Sequence, residues 1–143
     1  MFSLGVILAL GAAICWGLVY TVDQRILKDI APSTLLFIQS AFSVVVLFVY
    51  QLFHRADWKS FTGAPKQAIG LLALTAVLTL GANAMILVSI KHLNAATSSL
   101  LEITYPLFVI LFSLIMFRSH FSPMYLFGAA LIMIGAGIIV AVK

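Results

Sequence analysis

Apolar residues fall into five blocks of about 20 residues each: Phe2–Val22, Pro32–Phe53, Gln67–Ile90, Ala95–Phe117 and Pro123–Val142. A run of that length is what an α-helix needs to cross a hydrocarbon layer of about 30 Å. Backbone polar groups entering lipid must be hydrogen-bonded within the protein, and long unbroken apolar runs achieve this as helices. The pattern therefore predicts an all-α integral membrane protein, five transmembrane helices forming one domain over residues 1–143. Short connections make consecutive helices antiparallel neighbours. Composition agrees: 64% of residues are hydrophobic, 8% are charged and the mean hydropathy is +1.20, more apolar surface than a soluble domain of this length needs. The first block has no basic residue before it and exceeds a signal-peptide core, so it reads as a retained helix.

In such a chain, each polar residue inside a block calls for an explanation. Glu102 lies inside the fourth block, about 10 Å along the helix from Ala95 at 1.5 Å per residue, and Pro106 frees a backbone carbonyl one turn earlier. A carboxylate at that depth costs at least about 2.5 kcal/mol, so it should face protein or a water-filled cavity. The alternative is that it reaches headgroup water or a basic loop residue such as Lys91.

The other polar residues form helical stripes. Trp16, Tyr20 and Asp23 recur at i, i+4 and i+7 in the first block, beside the small pair Ala13 and Gly17. Tyr20 and Asp23 suit either a cavity wall or an interfacial belt, whereas the deeper Trp16 favours the cavity. Pro32 starts the second helix where a missing N–H is harmless. Gln39, Ser43 and Tyr50 share one face there, and a buried glutamine requires partners. The third helix carries Thr75, Thr79 and Asn83. Threonine can return its hydroxyl to its own backbone, leaving Asn83 to seek a partner elsewhere. Ser98, Glu102 and Tyr105 follow on the fourth. Turned together, these stripes would enclose a partly hydrated site with Glu102 as its deep acid, although interhelical packing accounts equally for the serines and threonines. The fifth helix, with Gly128, Gly135 and Gly137, has no polar side chain between Tyr125 and Lys143 and is expected to serve packing or self-association. The polar stretch from His54 to Lys66 is a linker, with Trp58 and Phe61 suited to the membrane interface.

A single cysteine, Cys15, excludes an intramolecular disulfide, and three scattered histidines lack ligand spacing. No nucleophile–base pair, metal motif or cofactor loop is apparent, so neither an enzyme nor a cofactor is expected, and no nucleic-acid partner.

Three segments carry a family resemblance: Gly11-Ala-Ala-Ile-Cys-Trp-Gly17; Asn94-Ala-Ala-Thr-Ser-Ser-Leu-Leu101 leading to Tyr105-Pro106-Leu-Phe108; and the run from Phe121 through Gly128 to Gly135. Together they resemble, in order and over essentially the whole chain, one EamA-type repeat of the drug/metabolite transporter superfamily. Two departures stand out. Arg118-Ser119-His120 occupies the place where many relatives carry Gly-Glu-Arg, and Gln39 stands where arginine is frequent.

The resemblance implies a solute carrier built from five-helix repeats, usually two per polypeptide and inverted in the membrane, with the site near the midplane between repeats. A single repeat then implies an antiparallel homodimer in the cell membrane. Such a dimer would move a small metabolite or drug-like solute by alternating access. Glu102 would bind a proton or a cationic group, and Trp16, Tyr20, Gln39, Asn83 and Tyr105 would shape the pocket. The alternative is a non-transporting membrane subunit that packs against another membrane protein.

Charge distribution is compatible with inversion. Arg55, Lys59, Lys66 and Arg118 lie on the side of the N-terminus, and Arg25, Lys28, Lys91 and Lys143 lie on the other, four against four. Orientation follows an excess of Lys and Arg in cytoplasmic loops, and this balance supplies almost none. If the earliest residues dominate instead, Arg25 and Lys28 would hold the first loop inside.

Overall fold

The computed structural model describes residues 4–54, 61–118 and 120–141. The chain is all-helical across these residues: α1 Leu4–Ile26, α2 Pro32–Phe53, α3 Lys66–His92, α4 Ala95–Glu102, α5 Tyr105–Phe117 and α6 Pro123–Ala141. Segments α1, α2, α3 and the α4–α5 pair are each long and apolar enough to span a membrane, and α6 adds a shorter apolar helix of 19 residues. Trp58, Arg55, Lys59, Ser119 and Lys143, singled out above, lie outside the described residues, as do the expected first residue of the first helix and the last of the fifth.

Two helical readings change. The first helix does not stop at Val22 but runs a further turn to Ile26, and Leu27 N–H still donates to Asp23 O at 2.8 Å. The end of an apolar run marks where lipid contact ends, whereas the helix persists until its hydrogen bonds do. The second change is in the fourth span, which is broken rather than continuous. Ile103 N–H still reaches Ser99 O at 2.9 Å, but Thr104 and Leu107 tighten to i→i+3 geometry, Thr104 N–H bonding to Leu101 O at 3.2 Å and Leu107 N–H to Thr104 O at 3.1 Å. The Thr104 hydroxyl also donates to Leu101 O at 2.8 Å. Pro106, in the first turn of α5, has no N–H with which to continue the ladder back to Glu102 O. At its far end α5 closes on Arg118 in the left-handed region, φ 50°, a conformation glycine adopts without cost and other residues rarely do.

Helix α4 is the hub of the packing, touching α1, α3 and α6; α3 also meets α1 and α2, and α5 meets α6. The buried apolar cluster sits at one end only, where Leu27, Leu35, Leu87, Ile90 and Ala95 meet. Polar bonds reinforce that end. Asn94 caps α4 by accepting from Thr97 N–H at 2.8 Å, the Gln24 side chain accepts from Ala95 N–H at 2.6 Å, and the hydroxyls of Ser89 and Ser98 pair at 2.9 Å. Ser98 is 1% exposed, so here the serine serves interhelical packing.

Away from that end many large apolar side chains face outward, Phe48, Phe53, Phe117 and Met124 among them. The accessible surface is 11436 Å², against roughly 7,200 Å² for a compact monomer of this mass. The excess reflects apolar helix faces that this unit leaves uncovered, the faces that lipid or another helix would meet.

Candidate functional site

Three helices enclose a groove of about 510 Å³ immediately beside the buried cluster. From α1 come Trp16, Tyr20 and Asp23, three residues of a single stripe; α2 supplies Gln39 and Ser43, and α3 supplies Asn83. Helical spacing places the stripe, and the extra turn of α1 keeps Asp23 on it. The groove thus brings together four of the expected pocket residues, Trp16, Tyr20, Gln39 and Asn83.

The polar contacts are specific. Gln39 Nε2 donates to Asp23 Oδ1 at 2.9 Å, tying α2 to α1. Ser43 Oγ returns to Gln39 O at 2.9 Å, within its own helix. Asn83 also turns inward to its own backbone, Nδ2 donating to Thr79 O at 3.0 Å, so the partner expected from another helix is supplied locally. The rings of Trp16 and Tyr20 are tilted against one another with centroids 5.6 Å apart. Tyr20 Oη donates to Glu102 Oε2 at 2.6 Å, linking the groove wall to the last residue of α4.

The remaining expected residues lie outside the groove. Glu102 is exposed on this five-helix unit and bordered by Tyr20, while the acid at the groove floor is Asp23, only 3% exposed. Asp23 is therefore buried in protein rather than part of an interfacial belt. Tyr105 is 60% exposed and does not line the groove. Counting three residues on from Glu102 assumes continuous 100° steps, and the turn at Ile103–Thr104 interrupts them. Likewise, a side-chain carbon added at Gly128, Gly135 or Gly137 would meet nothing within 4 Å, so none of the three brings another helix of this chain close. Among the described residues, α6 buries Ala129 and Ala136, seven apart like Gly128 and Gly135 and one position further on. Tyr50 stacks on His54 with centroids 4.0 Å apart, away from the groove. Gln24 was not singled out in the sequence; its role depends on a contact 71 residues away that no local pattern signals.

A multi-pass helical membrane protein with a polar, acid-floored groove inside an apolar shell is the class this architecture defines. The family model of the EamA-like transporter family matches residues 3–141, and the chain belongs to that family. Comparison with curated proteins and with solved structures returns no match.

Proposed function

We propose that this chain is a secondary transporter of small metabolites or drug-like solutes, working by alternating access as an antiparallel homodimer in the cell membrane. The observation that carries this reading is the placement of Glu102. It lies about 10 Å into a membrane span, at a helix break, and yet is exposed on the five-helix unit. An acid at that depth is costly against lipid, so a second unit covering it, or water between the two, resolves the cost. Its bond to Tyr20 joins it to the groove, which suits a group that takes up a proton or a cation in step with the solute. The loose packing supports the dimer, since helices that leave this much surface uncovered have room for a second copy. The four-to-four balance of basic residues supports inverted insertion.

The test is solute flux in liposomes, across amines and metabolites, with and without a pH gradient. The wild type should transport with a dependence on the gradient, and Glu102→Gln should fold normally and lose that dependence. Gradient-dependent flux that survives in Glu102→Gln assigns the residue a structural role, and absence of flux for every solute favours a non-transporting subunit. Reporter fusions should read both orientations; a single orientation would rule out the antiparallel arrangement.

A further inference from the structure

The groove has a second acid whose surroundings say what it is for. Asp23 is 3% exposed, and its hydrogen-bond partner is a neutral amide, Gln39 Nε2 on Oδ1. Among the described residues nothing bonds to Oδ2, and the side chain borders the groove. A carboxylate taken out of water without a counter-charge is costly, and an amide offsets only part of that cost.

None of the residues that line the groove is a cation; Lys28 and Lys91, on the neighbouring turns of the chain and of α3, line a separate depression. On α1 the nearest titratable neighbour is Tyr20, whose hydroxyl is already given to Glu102, itself an acid from α4. Helix α2 contributes Gln39, Ser40 and Ser43, and α3 contributes Asn83, all uncharged. Arg25 stands two residues beyond Asp23, about 200° around the helix, and is exposed. The groove wall therefore combines a buried acid with no base, and a second acid lies one hydrogen bond behind Tyr20, a local field that favours cations over anions. Trp16, 52% exposed, and Tyr20 present aromatic surface in the same groove, the surface on which ammonium groups settle. A volume of about 510 Å³ lies within the usual range for small organic ligands.

We infer that the groove binds an organic cation, an amine or quaternary ammonium, with its charge against Asp23 Oδ2 and its apolar body against Trp16. The inference rests on the transport reading of the same groove and divides the labour between its two acids. Asp23 takes the solute's charge, and Glu102, bonded to Tyr20, is left to the coupling step. Gln39 is a positioning residue, holding Oδ1 so that Oδ2 faces the guest.

The test uses purified full-length protein in nanodiscs and two probes of nearly identical shape, choline and its uncharged isostere 3,3-dimethylbutan-1-ol, with affinities read by calorimetry. Choline should bind at least about tenfold more tightly than the alcohol, the ratio that about 1.4 kcal/mol of ionic and cation–π attraction produces. Asp23→Asn should bring choline down to the alcohol's affinity and leave the alcohol unchanged. Glu102→Gln should reduce the ratio less than Asp23→Asn does, and the reverse order assigns the cation to Glu102 and overturns the proposal. A ratio near one in the wild type, or no binding of either probe, also overturns it. Should Asp23→Asn fail to fold, Trp16→Leu must still lower the ratio severalfold, and an unchanged ratio there is equally fatal. Because binding is read without a gradient, a protein that shows the ratio but carries no flux defeats only the transport reading. Flux of an uncharged solute with a ratio of one defeats only the cation assignment.

Discussion

The two ends of the helical bundle are built on opposite terms. Around the α1–α2 and α3–α4 connections, Leu27, Leu35, Leu87, Ile90 and Ala95 are buried together and fastened by Gln24, Asn94 and the Ser89–Ser98 pair. Toward the other end, along the later turns of α2, the early turns of α3 and the whole of α5, large apolar side chains stay exposed. The same kinds of residue, leucine, isoleucine and valine, populate both ends. The difference lies in what accompanies them. The fastened end has side chains that reach other helices through hydrogen bonds of defined length, and hydrogen bonds in a low-dielectric medium fix position in a way that apolar contact does not. In lipid the apolar ends of helices gain little by choosing one another over acyl chains, so without polar contacts they remain loosely apposed.

The contrast can be broken most directly by truncation. Ile90→Ala, at 2% exposure, should cost about 2–5 kcal/mol of unfolding free energy. Phe48→Ala, at 60% exposure on the loose end, removes a larger side chain and should change stability by less than about 0.5 kcal/mol. Denaturant unfolding in detergent micelles would compare them, and similar losses would show that the loose end is packed after all. The smaller effect is the sharper one. Gly135→Leu has room within the chain and should leave monomer melting nearly unchanged, while lowering the dimer fraction in sedimentation measurements if α6 faces the second copy. Unaltered association would remove α6 from the dimer surface, and a large fall in monomer melting would place α6 in the packing of a single unit.

The spans were legible in the sequence because bilayer thickness sets their length and lipid tolerates few polar residues. So was the groove stripe of α1, since Trp16, Tyr20 and Asp23 lie on one uninterrupted helix. What could not be read was register between helices. For Asp23 the pattern left cavity wall and interfacial belt open, because Val22 ends the apolar run; its contact with Gln39, sixteen residues away on a different helix, is not visible in that pattern. Tyr105 was placed by a periodicity that the turn at Ile103–Thr104 resets. Glycine spacing on α6 revealed a smooth surface without saying whether it meets this chain or another. In each case the missing information is a long-range contact, which a one-dimensional pattern can suggest only through residue type.

The break in the fourth span makes a jointed strut out of what would otherwise be a single rod. The inner piece, α4, is eight residues long and bolted to the fastened end, and the outer piece, α5, has thirteen residues, roughly 20 Å of lever. A rotation of about 10° at Ile103–Thr104 carries the far tip of α5 through roughly 3 Å, on helical rise alone. Glu102 sits beside the pivot, where the displacement is close to zero. Of the contacts along this span, the Tyr20–Glu102 bond is the one such a rotation would disturb least.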